Sequence, residues 1–183
     1  CSKLTSVALP NGVETIGDSA FNSCSQLSTI TLPESVTTIG DNAFYNCKSL
    51  SNITIPHSVI SIGNYAFYDC LQLMNVTIAC GVTSIGASAF RGCSSLTSIT
   101  LPNSITGLGL GAYAFYDCTS LTSVSFQDCS SIGHAAFDSC TSLTSVDFPN
   151  CVSVGYGAFE NCTSLTTVNF AVCISIGVHS FKS

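Results

Sequence analysis

Charge is what this chain has least of. Asp, Glu, Lys and Arg make up 8% of its 183 residues, about a third of the share in an average soluble domain. Ser, Thr and Asn must therefore carry most of the solvation. Lys3, Lys48, Arg91 and Lys182 face ten acids, for a net charge of −6. Four scattered cations cannot neutralise a phosphate backbone, so nucleic acid and anionic lipid are not expected partners. No apolar run approaches the ~18 residues of a membrane-spanning helix, and direct membrane insertion of this stretch is not expected. No basic segment followed by an apolar one opens the chain. It starts on Cys1 rather than Met and reads as a piece of something longer.

Other absences bear on chemistry. No two of the twelve cysteines stand in C-x-x-C spacing, and no loop is dense in Asp. Zinc and calcium sites are therefore not expected. His57, His134 and His179 fall at three different places in the repeat described below, none matched to a serine nucleophile and an orienting acid. They read as surface histidines. Asp69 and Asp117 read as solvated or N-capping groups. No cofactor, metal or catalytic group is expected, and the chain does not read as an enzyme.

What is present is a repeat. AFYDCTSLTSVSF (114–126) is nearly restated in AFYNCKSLSNITI (43–55), AFDSCTSLTSVDF (136–148) and AFENCTSLTTVNF (158–170). Its phenylalanine falls at Phe21, Phe44, Phe67, Phe90, Phe115, Phe137, Phe159 and Phe181, at spacings of 23, 23, 23, 25, 22, 22 and 22. A fixed period in this range marks a solenoid. Residues 1–183 are expected to form one such domain, of about eight units, as part of a longer array.

The unit reads C-x-x-L-x-x-I-x-L-P-x-S-V-x-x-I-G-x-x-A-F over 24–44. Ile30 and Leu32 alternate with Thr29 and Thr31, which predicts a short half-buried strand. Pro33 ends it, lacking a ladder donor. Val36 and Ile39 suggest a second short strand, and Gly40 a sharp bend. Asp41-Asn42-Ala43-Phe44 reads as a cap and a helical or 3₁₀ turn that drops Phe44 into the centre. No unit can bury its apolar side chains alone; stacking supplies the missing wall. The last three units lose one residue and carry Cys129, Cys151 and Cys173 in place of the buried Val. The fifth unit adds two residues in GLGLGAYAF (107–115), which suggests a bulge on the outer edge.

With Pro33, Gly40, Ala43-Phe44 and Cys47 standing together, this pattern resembles the BspA-like leucine-rich repeat surface proteins from Cys1 to Lys182. The resemblance implies a leucine-rich-repeat solenoid: a right-handed curved coil with a parallel β-sheet on the concave face and short strands, turns and 3₁₀ or helical turns on its other sides. It also implies surface display, adhesion and host–microbe contact, with no catalytic residues to carry over. The departures at Cys80 and at Cys129, Cys151 and Cys173 leave a shared ligand in doubt.

Cys1, Cys24, Cys47, Cys70, Cys93, Cys118, Cys140 and Cys162 hold one repeat position each. At a coil spacing of about 4.8 Å they are close enough for disulfides, but ladder side chains point in parallel and thiols pack well as small apolar groups. Unpaired packed thiols are the expectation, with some disulfides as the alternative. Cys80 replaces Glu34 and His57 of other units and is the one thiol expected to be accessible.

Thr29, Thr31, Asn52, Thr54, Asn75, Thr77, Ser98, Thr100, Ser123, Ser125 and Asp147 are expected to point outward from the concave strands. This lawn of hydroxyls and amides suits a protein or glycan ligand, and also suits any solvated strand. Tyr45, Tyr65, Tyr68, Tyr113 and Tyr116 are expected on the outer side. They read equally as a protein contact or as packing against the neighbouring coil. Asn52, Asn75 and Asn161 match the glycan-acceptor pattern and are expected to be unoccupied unless the source is a eukaryote with secretory processing.

Three functions follow. The first is a binding or adhesion module at the cell surface that uses the concave sheet. The second is a structural protein whose uncapped ends self-associate into a filament or coat. The third is an intracellular scaffold, which would suit reduced cysteines.

Overall fold

Leu27 and Ile30 point into the coil, and Thr29 and Thr31 point out of it, as the period of two demands. The computed structural model, which describes residues 1–105 and 110–183, repeats that strand once per coil. The concave strands are Ser6–Ala8, Thr29–Thr31, Asn52–Ile55, Asn75–Ile78, Ser98–Thr100, Ser123–Ser125, Ser145–Asp147 and Thr167–Asn169. All pairing is parallel and one coil apart, for instance Asn52↔Asn75 and Ser123↔Ser145. The ladder lapses once, between Thr29–Thr31 and Asn52–Ile55, which belong to separate sheets. Two-residue strands such as Thr38–Ile39 and Ser61–Ile62 form a second parallel wall. The glycine-rich insertion expected to bulge falls largely on residues 106–109, outside the described residues; Leu110 beyond it bridges Ile85.

The third side, expected as a helical or 3₁₀ turn, is built from single i→i+3 turns. Among the described residues there is no helix. Alternate N–H groups instead reach the next coil: Asn42 to Asn64, Phe44 to Ala66 and Asn46 to Tyr68, at 2.9, 2.7 and 2.8 Å. The intervening residues close i→i+3 turns, as from Tyr45 N–H to the Asn42 carbonyl and Cys47 N–H to the Phe44 carbonyl. Asn42 and Asn46 lie in the left-handed region, with φ of 56° and 57°, so no helix can propagate through them. The sequence periodicity is the same for both kinds of turn; the partner of each N–H is what separates them.

The phenylalanines form one internal column. Successive rings from Phe21 to Phe181 lie 5.1 to 5.5 Å apart and within 12° of parallel. Burial depends on having a coil on each side. Phe159 is 1% exposed and Phe181 42%; Val154 is 3% exposed and Ile176, at the same repeat position, 58%. In the last three coils Phe126, Phe148 and Phe170 replace the Leu or Ile that ends the strand, and the smaller Cys129, Cys151 and Cys173 replace Val. Phe126, Phe148, Cys129 and Cys151 are fully buried. Volume added at one position is removed at the other, as close packing requires.

Every cysteine is a free thiol. In the main ladder the buried thiols from Cys47 to Cys162 donate to a phenylalanine carbonyl of the preceding coil, such as Cys70 to Phe44 at 3.3 Å and Cys93 to Phe67 at 3.2 Å, whereas the Cys24 sulfur accepts from the Cys1 amino group. Cys129 and Cys151 donate within their own coils, to the Ser131 and Ser153 carbonyls. Burial first, then repulsion from neighbouring thiolates, pushes the Cys47 thiol up to about 12. Burial likewise holds Cys129 and Cys162 at about 12, and Cys70, Cys93, Cys118 and Cys140 well above the ordinary thiol value.

Gly40 and its successors serve close approach rather than the expected bend. A Cβ on Gly63 would lie 2.5 Å from the Gly40 carbonyl carbon, and one on Gly86 2.6 Å from the Asn64 nitrogen. Gly17, in the first coil, has nothing within 4 Å of that point. Gly86→Ala is therefore expected to destabilise by about 1–3 kcal/mol, the usual range for overpacking, and Gly17→Ala to be near neutral in the same urea titration. Alkali should act through the thiols. Because their folded pKa lies above the unfolded value of ~8.5, their stabilising contribution is complete below that value and is lost as pH rises towards about 12. In reducing buffer the melting temperature is expected to hold up to pH ~8 and fall steadily above it.

Candidate functional site

Two surfaces carry the residues singled out from the sequence. On the concave face Thr29, Thr31, Asn52, Thr54, Asn75, Thr77, Ser98, Thr100, Ser123 and Ser125 are exposed and Asp147 is half-buried. Parallel register stacks them into two columns, one through Asn52, Asn75, Ser98 and Ser123 and the other through Thr54, Thr77, Thr100, Ser125 and Asp147; Thr29 and Thr31, beyond the lapse, pair with Ser6 and Ala8.

The columns are not chemically uniform. Asn75 donates to the Asn52 amide oxygen at 2.8 Å, and Asn169 to Asp147 at 2.7 Å. Asp147 also accepts from Gln127 at 3.3 Å. A neighbouring column turns its hydroxyls inward: Ser28, Thr122, Thr144 and Thr166 donate to carbonyls of the preceding coil at 3.0 to 3.2 Å. Those groups hold coils together. By contrast, the hydroxyls of Thr29, Thr31, Thr54, Thr77, Ser98, Thr100 and Ser123 make no hydrogen bond within the described residues and face solvent.

Two grooves follow the sheet. One of about 490 Å³ crosses the lapse in the ladder and is lined by Thr29, Thr31, Asn52, Thr54, Glu34 and Pro56 among others. The other, of about 320 Å³, is lined by Ser98, Thr100, Ser123, Ser125, Asn103 and Gln127 among others. The Glu34 carboxylate, paired with His57 at 2.8 Å, stands at the rim of the first. Among the described residues no three His, Cys, Asp or Glu side chains gather as a metal-ion site, and no helix is long and apolar enough to cross a membrane.

On the outer side Tyr45 and Tyr68 stack at 4.8 Å. Tyr65 and Tyr113 meet Tyr68 and Tyr116 at an angle, with centroids 6.0 and 5.9 Å apart. The sequence reading missed that Arg91, His134, Tyr156 and His179 join them. Arg91 replaces tyrosine in the column and sets its guanidinium 5.6 Å from the Tyr68 ring centre and 4.5 Å from that of Tyr116. His134 bonds the Tyr113 hydroxyl at 2.8 Å and stacks on Tyr156, whose hydroxyl meets His179 Nδ1 at 3.1 Å. Three consecutive outer positions of the unit carry an aromatic, imidazole or guanidinium group in several coils, and that was the available signal. Asp69 and Asp117 cap no helix; they sit at left-handed turn positions, with φ of 53° and 60°. Asn52, Asn75 and Asn161 are all exposed.

One coil per repeat, an in-register parallel wall and an internal ladder of apolar side chains define a β-solenoid of the leucine-rich repeat class. The chain belongs to the BspA-type leucine-rich repeat family, whose description, a BspA type leucine-rich repeat region with 6 copies, matches residues 1–112 and 110–183. The T. pallidum leucine-rich repeat protein TpLRR is 31% identical with a TM-score of 0.82, over 90% of this chain and 79% of that one. A leucine-rich cell surface protein from Faecalibacterium prausnitzii is also 31% identical, with a TM-score of 0.67 over 93% of this chain and 56% of that one. A leucine-rich repeat protein from Eubacterium ventriosum, at 24% identity and a TM-score of 0.68, shares the fold over 95% of this chain and 57% of its own length. No curated protein sequence matches the chain. It is thus a leucine-rich repeat protein related to bacterial cell-surface proteins of that fold.

Cys80 is exposed as expected, but it is not the one accessible thiol: Cys1, expected among the packed ladder, is exposed too, Cys173 is half-buried, and the thiols from Cys24 to Cys70 and Cys93 to Cys162 are buried. Native thiol titration is expected to modify Cys1 and Cys80 rapidly and Cys173 more slowly. All twelve should react once the chain is denatured without reductant. Any shortfall in the denatured count would mean disulfides.

Proposed function

We propose that the chain is a non-enzymatic binding module, displayed at a cell surface, which captures a protein or glycan along its concave sheet. The supporting observation is the pair of exposed columns whose hydroxyls are left uncommitted, beside a column whose hydroxyls are used between coils. Each hydrogen bond to a ligand nets only about 0.5–1.5 kcal/mol, so affinity must come from many rungs engaged together or from many copies of the module. Kinship with a cell surface protein of the same fold favours display outside the cell. The hydroxyls and amides of the sheet would orient a ligand without charge, since Asp147 is the only ionisable group among the proposed contacts.

The test is a chain carrying Thr29→Lys, Thr54→Lys, Asn75→Lys and Thr100→Lys, staggered so that no two lysines are paired directly across a strand. Both forms would be applied to arrays of purified host-matrix proteins and of glycans. A ligand captured by the native chain is expected to be lost by ~100-fold or more, equivalent to a few such bonds, with the melting temperature shifted by only a few degrees. Undiminished capture would remove the concave face as the site.

A further inference from the structure

We propose that the outer face carries a second site, in which Arg91 and the tyrosines around it receive a single carboxylate from a partner protein. In a repeat protein the needs of the fold recur in every coil, so a half-buried surface cluster that breaks the period asks for another explanation. Arg91 is the only arginine in the chain. It occupies the column of Tyr45, Tyr68 and Tyr116, with tyrosine rings on both sides of its guanidinium. Tyr113 lies a little farther off, its ring centre 6.0 Å away, and the planar guanidinium presents an edge of N–H donors. That edge has no hydrogen-bond acceptor among the described residues, and no carboxylate among them lies within ion-pair distance. Such a fork matches a carboxylate held bidentately.

Backbone strain points to the same place. Tyr65 and Tyr113, in the coils on either side of Arg91, adopt φ of 55° and 58°. Other coils fill this left-handed position with Ser19, Asn42, Ser88, Ala135, Gly157 or His179. A bulky aromatic is an outlier there, and strain that the fold does not require is a pointer to function. Tyr65 is 41% exposed, so core packing does not account for it.

The partner's class follows from charge and from ring geometry. Tyr45 and Tyr68 stack on each other and Tyr68 and Tyr116 flank the guanidinium, so few ring faces remain for stacking on a neutral sugar. Asp69 and Asp117 lie beside the cluster, and the whole chain carries −6, which repels a densely sulfated or phosphorylated polymer. Lys48 and Arg91 together balance Asp69 and Asp117; a site without excess charge suits one carboxylate on an otherwise neutral protein surface, and tyrosine with arginine is the composition of interface anchors.

The test follows the Arg91 Nε–Hε and tyrosine ring resonances of the full chain by NMR. The probe is acetyl-Gly-Ser-Glu-Ser-Gly-amide, titrated to millimolar concentration beside its glutamine analogue. The glutamate peptide is expected to shift these resonances saturably, and the glutamine analogue to leave them unmoved. Arg91→Gln should abolish the tyrosine shifts, and Arg91→Lys should weaken them several-fold. The double variant Tyr65→Asn, Tyr113→Asn should weaken them too while melting no lower than the native chain, because asparagine tolerates the left-handed backbone. The lysine-substituted concave variant should respond normally, which separates this site from the concave one. Equal responses to both peptides, or a heparin fragment that shifts these signals more strongly than the peptide, would overturn the proposal. So would a double variant that melts lower than the native chain.

Discussion

The whole molecule depends on how closely one coil can approach the next. Backbone meets backbone at the glycine ladder, where a Cβ on Gly63 or Gly86 would fall inside the neighbouring peptide. At that distance the strand ladders, the Asn42-to-Asn64 type of bond on the turn side and the phenylalanine column all come into register together. A coil held an ångström or more farther away would stretch all three beyond hydrogen-bond and contact range. Such a structure is held by nearest neighbours rather than by one global core, and Ile176 and Phe181 are far more exposed than Val154 and Phe159, which have a described coil on each side.

This construction leaves the fold's requirements repeated and its surface free to vary. Inward positions barely change from coil to coil, and neither does the glycine. Outward positions divide into those that serve the stack, such as Thr122 and Thr144 with their carbonyl partners, and those that serve nothing within the described residues. Function is to be sought in the second set. On the concave side that set is regular and uncharged. On the outer side it is irregular, aromatic and carries the chain's single arginine.

What could be read from the sequence was what recurs at a fixed interval. The phenylalanine column, the alternation of Ile30 with Thr29 and Thr31, the unpaired cysteine ladder and the exposure of Cys80 all follow from spacing and side-chain chemistry. The turn after Gly40, expected as helical or 3₁₀, keeps i→i+3 bonds but forms no helix, because the Asn42 and Phe44 N–H groups reach another coil, which an i, i+3 sequence pattern does not reveal. The glycine itself was assigned a bend, since steric conflict with a residue 23 positions away leaves no local trace. The concave residues were legible as a surface, but Thr122 could not be told from Ser123 until the carbonyl beneath it was in view. Arg91, His134, Tyr156 and His179 escaped notice because they occupy different repeat positions and meet only across coils.

The exchange of Val for Cys and of Leu or Ile for Phe in the last three coils has a consequence for how the array can change over generations. It gives the interior two gauges, one for coils shaped like 24–46 and another for coils shaped like 118–139. Copying a coil beside its own kind preserves the fit, whereas moving one across the boundary sets Phe against a space sized for Leu and leaves a void beside the thiol. Lengthening by tandem duplication is therefore easiest within each half, and the junction at the fifth coil is a seam that recombination would tend to respect.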